Sequence, residues 1–194
     1  MSRLGDLARQ DNYRAAFLPP AMAGQAGQDT PLPIGAGQTS SQPSLVKRMV
    51  QALGLTKRDR VLEIGTGTGY AASLLAQAAG HVDSIERVPE LAAQARRILA
   101  RLGIDNVEVL TGNGERGLPA RAPYDAIMVS AAGDSIPPAL LQQLAIGGRL
   151  LMPVRQRLIR VVRRGVNDFA SQDLGAVKFV PLVRRSGMGE VLTP

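Results

Sequence analysis

The run Val61-Leu62-Glu63-Ile64-Gly65-Thr66-Gly67-Thr68-Gly69-Tyr70 constrains this chain more than any other stretch. A short apolar run carries an acidic residue, and three glycines at alternate positions follow before an Ala- and Leu-rich helical pattern begins. A strand that must turn at once into a helix needs positive φ and no Cβ at the turn. A ligand lying on such a turn approaches backbone N–H groups closely, and those groups with the helix dipole favour a negative group such as a carboxylate. A dinucleotide fingerprint wants Gly-x-Gly-x-x-Gly or Ala, and counted from Gly65 its last position falls on Tyr70, which fails. Glu86, 17 residues after Gly69 at the end of the second predicted strand, can accept hydrogen bonds from both hydroxyls of a ribose. It points to a nucleoside without saying which one. A tight strand-to-helix turn with no ligand is the plain alternative.

The surrounding pattern is regular. Helices are predicted over 44–53, 70–79, 89–102 and 138–144, the last closed by Gly147 and Gly148. Strands are predicted over 60–64, 81–85, 107–110, 125–130 and 149–153. Strands alternating with helices imply parallel strands joined by right-handed crossovers, hence an α/β, doubly wound, mostly parallel sheet. Ligands of such a sheet bind at the carboxyl ends of its strands. The tail changes rhythm: 158–164 and 176–183 read as two β-rich runs joined by a polar turn around Asn167 and Asp168, an antiparallel C-terminal edge pair. Before the regular part, residues 21–43 are dense in Gly, Pro, Gln, Ser and Thr and read as an irregular loop or lid.

Composition excludes several chemistries. Without cysteine there are no disulfides, thiolate metal sites or cysteine nucleophiles. The single histidine and the carboxylates show no metal-ligand spacing, so no metal is predicted. No apolar run approaches the ~20 residues of a membrane span, and the polar start does not read as an export signal. The expectation is a soluble, cytoplasmic chain without a membrane partner. From Gly147 onward nine Arg or Lys face three Asp or Glu, whereas the first 146 residues carry fourteen against thirteen. A basic end attracts anions, among them acidic peptides, carboxylates and nucleic acid. Only Phe169 and Phe179 are there to stack on bases, which argues against nucleic acid. A solvated Arg-rich face is the bland reading.

Read together, several strings resemble the protein-L-isoaspartate (D-aspartate) O-methyltransferase family. The spacing Glu-x-Gly-x-Gly-x-Gly is similar to motif I of Rossmann-like methyltransferases. Upstream, Leu32-Pro33-Ile34-Gly35-Ala36-Gly37-Gln38-Thr39-Ser40-Ser41-Gln42-Pro43 resembles the family's substrate-side segment. Downstream come Ser84-Ile85-Glu86-Arg87, Gly112-Asn113-Gly114 and Ala122-Pro123-Tyr124-Asp125-Ala126-Ile127. Ile136-Pro137-Pro138, Gly147-Gly148-Arg149-Leu150 and Phe179-Val180-Pro181-Leu182 continue the likeness, which runs in order over residues 31–183.

The resemblance implies a single methyltransferase domain: an irregular substrate-side segment (1–43), a cofactor core (44–154) and a basic β-rich edge (155–194). It implies S-adenosyl-L-methionine as methyl donor, S-adenosyl-L-homocysteine as product, and isoaspartyl peptides or proteins as acceptors whose repair the methylation starts. On the cofactor side it points to Glu63, Gly65, Thr66, Gly67, Gly69, Glu86, Arg87, Asn113 and Gly114. Glu63 would hold the donor's amino-acid end or organise the turn. Ser41, with Thr39 beside it, would contact the reacting carboxylate; capping the next helix is the structural alternative for Ser41. A carboxylate with pKa near 4 is already ionised at neutral pH, so no general base is required. Ser40, Ser44 and Asn113 depart from the family pattern. Asn113 replaces an aspartate and offers a neutral acceptor for a charged one, a loss on the order of 1 kcal/mol. Two other readings stay open: a same-fold methyltransferase with another acceptor (peptide, small molecule or RNA), and a weakly active S-adenosylmethionine-binding homologue. The sequence does not disclose the oligomeric state.

Overall fold

The computed structural model describes residues 13–179. A 3-10 turn, Tyr13–Phe17, and a short helix α1, Pro20–Ala23, lead into a two-stranded antiparallel sheet of β1 (Leu32–Gly35) and β2 (Gln38–Ser40). Then follow α2 (Pro43–Leu53), β3 (Arg60–Ile64), α3 (Tyr70–Ala78), β4 (His81–Glu86), α4 (Pro89–Arg101), β5 (Val107–Thr111), β6 (Tyr124–Val129), α5 (Pro138–Gln142), β7 (Leu144–Val154), β8 (Arg157–Arg163) and β9 (Phe169–Ala176). The large sheet has the order β5-β4-β3-β6-β7-β8-β9. Its first five strands pair in parallel, and β8 and β9 add antiparallel to β7.

The predicted doubly wound, mostly parallel sheet with an antiparallel C-terminal edge is therefore the architecture. Leu62, Ile64, Ile85 and Ile127 point to one face, with Leu140 and Leu144 packed among them. Val61, Val82, Ala126 and Met128 point to the other, under α2, α3 and α4. Leu62, Val82 and Ile127 are wholly buried, each worth about 2 kcal/mol of transfer free energy as an upper bound. Helix α2 buries Leu45, Val46, Met49 and Leu53, one stripe of its surface. It opens with Pro43 and stops at Gly54, whose φ of 57° is the left-handed C-terminal conformation glycine permits.

Three sequence expectations are corrected. Segment 21–43 contains a hairpin rather than only loop: Leu32 and Ile34 are buried, and Ala36 and Gly37 turn the chain at positive φ. Pro33 between those apolar positions disguises the alternation. Gly147 and Gly148 do not close a helix; α5 ends at Gln142, and both glycines lie inside β7. A Cβ at Gly148 would come 2.8 Å from the Ala145 carbonyl oxygen, so glycine is what lets the strand bulge there. The last described strand is β9, Phe169–Ala176, not a run beginning at Ala176, because the 164–168 turn registers Arg163 against Phe169. Residues 180–183 of that predicted run lie outside the described residues.

At the other end of the strands, Asp83 is fully buried and accepts hydrogen bonds from Arg121 Nη1 (2.6 Å) and the Tyr124 hydroxyl (3.0 Å). Burial first, and then the Asp83 charge, raise the Tyr124 phenol above its ordinary pKa. Sequence spacing hides this cluster: His81, Asp83 and Glu108 converge from β4 and β5, and the Arg121 guanidinium supplies positive charge to both carboxylates.

Candidate active site

The carboxyl ends of β3, β4, β5 and β6 open into one cavity, walled on its outer side by the β1–β2 hairpin. Ile64, Gly65 and Gly67 line it from β3 and the turn; Ile85, Glu86, Arg87 and Val88 from β4; Asn113 and Gly114 from the segment after β5; Ser130 and Ala131 from the end of β6. Ile34, Ala36, Gln38 and Thr39 close it from the hairpin. A smaller recess adjoins it, lined by Thr39, Ser40, Ser41, Thr66, Thr68 and Tyr70. Ile34, Thr39, Gly65, Gly67 and Ser130 line both. The two spaces thus meet over the glycine turn.

Glu86 is held from two sides on the sheet wall of the cavity. Its Oε2 accepts the Gly67 N–H at 2.8 Å and its Oε1 the Val88 N–H at 3.0 Å, while the residue is 6 % exposed. Each oxygen keeps acceptor capacity toward the cavity. The turn itself differs from expectation in one respect. The N–H groups of Gly65, Gly67 and Gly69 are already given to the Ile85 carbonyl, the Glu86 carboxylate and the Thr66 carbonyl. These glycines therefore admit a ligand by lacking side chains rather than by offering N–H donors. Gly65 (φ 93°) and Gly67 (φ 56°) also have backbones that L side chains rarely adopt.

Other predicted cofactor residues divide. Arg87, Asn113 and Gly114 line the cavity with Glu86. Asn113 Oδ1 accepts the Glu115 N–H at 3.1 Å and so starts the 3-10 turn 114–116. A Cβ on Gly114 would fall 2.2 Å from Ile64 Cγ2, so only glycine allows this segment to lie on β3. Gly69 turns instead toward α4, where a Cβ would meet Leu99 Cγ at 3.4 Å. Thr66 lines the recess. Glu63 lines neither space: it is fully buried, and its Oε2 accepts the Ser84 hydroxyl, which in turn hydrogen-bonds the Thr66 hydroxyl. Burial pushes its carboxyl up to about 8; the Ser84 hydrogen bond opposes the rise and the Glu86 charge adds to it.

On the hairpin side, Thr39 and Ser41 face the recess. Ser41 does not cap α2. Gln42 occupies the cap position without a side-chain cap, and Asp29 from the preceding loop accepts the Ser44 N–H at 2.8 Å. The Ser41 hydroxyl makes no hydrogen bond to another described residue and is left to the recess. Arg14 holds this wall in place. It is 3 % exposed and donates to the Gln28, Thr30, Ser40 and Ser41 carbonyls and to the Ser40 hydroxyl, at 2.9–3.3 Å. Sequence reading passed over Arg14, Asp29 and Ser130. A lone arginine in a short opening carries no local signal of partners 14–27 residues away, whereas Ser130, at the end of a predicted strand beside the glycine turn, was within reach.

A glycine turn and a cavity-facing carboxylate at the carboxyl ends of a doubly wound sheet are common to Rossmann-like domains, and a solved structure on which the chain superposes places it among the methyltransferases. The family model described as Protein-L-isoaspartate(D-aspartate) O-methyltransferase (PCMT) matches residues 8–187. The chain belongs to that family. It is 53 % identical over 183 residues to protein-L-isoaspartate O-methyltransferase 1 of Rhodopseudomonas palustris (strain HaA2), covering 92 % of this chain and 75 % of that one. It is 51 % identical to protein-L-isoaspartate O-methyltransferase 2 of Pelobacter propionicus, covering 90 % and 80 %. A solved protein-L-isoaspartate O-methyltransferase superposes with a TM-score of 0.78 at 30 % identity, over 92 % of this chain and 63 % of that chain. A Plasmodium falciparum structure in complex with S-adenosyl-L-homocysteine superposes with a TM-score of 0.75 at 24 % identity, over 94 % and 97 %, a likeness of fold.

Proposed function

We propose that this chain transfers a methyl group from S-adenosyl-L-methionine to the free carboxylate of L-isoaspartyl, and D-aspartyl, residues in damaged proteins, the first step of their repair. The observation that carries the reading is the meeting of two spaces at Gly65, Gly67 and Ser130, one with a ribose-ready carboxylate and the other with two hydroxyl side chains. Family membership supplies the chemistry. The residues present fit the donor: side-chain-free backbone at Gly65 and Gly67, acceptors on Glu86 for two ribose hydroxyls, and one remaining lone pair on Asn113 for an amino group. When bound, the donor supplies a methyl carbon on a cationic sulfur.

The chain's own contribution is alignment and exclusion of water. Thr39 and Ser41 donate to the acceptor carboxylate and aim one oxygen across the junction, and Ile34 and Ser130 narrow that junction. Because the acceptor is ionised at neutral pH, holding it in line is the main task, and orientation can supply several kcal/mol. No helix among the described residues is long and apolar enough to cross a membrane. The cytoplasm is the proposed compartment, since a cysteine-free chain asks nothing of an oxidising one.

The test is transfer from labelled S-adenosyl-L-methionine to a short isoaspartyl peptide, with the aspartyl peptide as control. Base-labile label on the isoaspartyl peptide alone, reduced at least tenfold in Ser41→Ala with product affinity retained, is the expected result. Donor binding without transfer, or transfer to a different acceptor such as RNA, would overturn the acceptor assignment.

A further inference from the structure

Glu63, buried beside the site, is an ionisable group that the alignment mechanism leaves unused, and its surroundings are unusual. It lies in β3 between Ser84 of β4 and Met128 of β6 and is wholly buried. Its Oε1 has no hydrogen-bond partner. Among the described residues no Arg, Lys or His pairs with it. The polar groups against it are the hydroxyls of Ser84 and, through Ser84, Thr66; the β6 neighbour is apolar; and the charge acting on it is that of Glu86, another carboxylate. An uncompensated buried carboxylate is costly, and the group escapes the cost by taking a proton. In keeping with this, burial pushes its pKa up to about 8.

The position gives that proton a use. Glu63 stands two residues before Gly65, and the Glu63–Ser84–Thr66 chain of hydroxyls ends at the recess wall, where Thr66 faces the space shared with Ser41. The donor of the proposed reaction carries a positive sulfur, and the product carries a neutral one. A positive charge on the turn stabilises an ionised Glu63; a neutral thioether does not. We propose that Glu63 is a charge sensor that tells donor from product by a proton: it is protonated when the turn is empty or holds product, and ionised when the cationic donor lies there. In ionising, its proton passes to the Ser84 oxygen as Ser84 hands its own to Thr66 and Thr66 releases one to water in the recess. Loss of the sulfur's charge after transfer reverses the exchange and loosens the product.

This inference rests on the proposed donor, and one calorimetric experiment separates the two. Binding of S-adenosyl-L-methionine and of S-adenosyl-L-homocysteine is measured at pH 7 in buffers of different ionisation enthalpy, for the wild type, Glu63→Gln and Ser84→Ala. The sulfonium lowers the pKa of the donor's α-amine relative to the product's, so the comparison between proteins decides. In the wild type, donor binding should release roughly half to one more proton than product binding. The ratio of donor to product affinity should rise about threefold to tenfold between pH 6 and 8. Glu63→Gln should lose the extra proton release and the rise in the ratio that Glu63 contributes. Ser84→Ala, which removes the hydroxyl favouring the ionised form, should shift the rise to higher pH, and it carries the test if Glu63→Gln does not fold. Equal proton counts for the two ligands in the wild type, or an unchanged difference in Glu63→Gln, would overturn the sensor while leaving the donor reading intact. Failure of either ligand to bind would overturn both.

Discussion

The two walls of the site are held by different means. The wall proposed to hold the cofactor, the cofactor wall, is an extension of the parallel sheet: β3, β4 and β6 end in register, and the rim follows from backbone pairing. Gly114 fits against Ile64 because nothing larger does, and Glu86 is fixed by two backbone N–H groups. The wall proposed to hold the acceptor, the acceptor wall, belongs to no large sheet. Its hairpin and the 28–44 stretch are tied down by side chains, Arg14 from one side and Asp29 at the start of α2. Backbone pairing spreads positional control over many residues; a single guanidinium concentrates it. One wall should therefore yield to one substitution where the other resists, and each wall should fail in its own readout.

The largest expected effect is on the acceptor wall. Arg14→Ala removes the donor to four carbonyls and to the Ser40 hydroxyl, and should cost about 3 kcal/mol in unfolding free energy. Turnover on an isoaspartyl peptide should fall more than about fiftyfold, roughly 2.3 kcal/mol of lost orientation, while product affinity changes less than threefold. Denaturant melts with calorimetry of S-adenosyl-L-homocysteine measure both. Equal losses in turnover and in product affinity would show that the walls do not fail separately.

The reciprocal break is Gly114→Ala. Its Cβ would overlap Ile64 Cγ2, part of a branched side chain 2 % exposed, so strand or segment must shift at a cost of about 2 kcal/mol. Product affinity should drop about tenfold, because Asn113 moves with its neighbour, whereas acceptor KM at saturating donor should stay within twofold. A variant with normal product affinity would mean that the post-β5 segment can slide without disturbing the cofactor wall.

The same contrast explains what was legible in the sequence. Strands 60–64 and 124–129 are mostly apolar and buried, strand 81–86 keeps Val82 and Ile85 among buried polar residues, and glycines flank β3 and β4, so the turn between β3 and α3 fell into place with them. Strand β9 is an edge strand with Ser171, Gln172 and Asp173 exposed, and its polar sequence looks like a connection. The β1–β2 hairpin was obscured by Pro33 and by the Gly- and Thr-rich composition that also marks loops. Glu86 and Ser41 were legible as candidates, and they lie on the cavity and on the recess; the roles given to them are the proposed ones. The Arg14 and Asp29 tethers were not, because they are contacts between distant positions with no periodicity to betray them. Burial of Glu63 followed from the strand it sits in, but its distance from the cavity lining did not, since which face of β3 it takes depends on register with β4.

The smallest expected effect sharpens the comparison from the cofactor side. Asn113 Oδ1 spends one lone pair on the Glu115 N–H, which leaves a neutral acceptor facing the cavity. Asn113→Asp retains the shape, strengthens that cap by making it charge-assisted, and offers an ionised oxygen to an amino group on the ligand. Product should bind about fivefold more tightly, near 1 kcal/mol, with acceptor KM unchanged and unfolding free energy raised by a few tenths of a kcal/mol. A tighter complex with no change at the acceptor would mean that the cofactor wall can be tuned one atom at a time without moving the other. Unchanged or weaker product binding would mean that no ligand donor faces residue 113, and that the aspartate-to-asparagine departure is carried by the Glu115 cap alone.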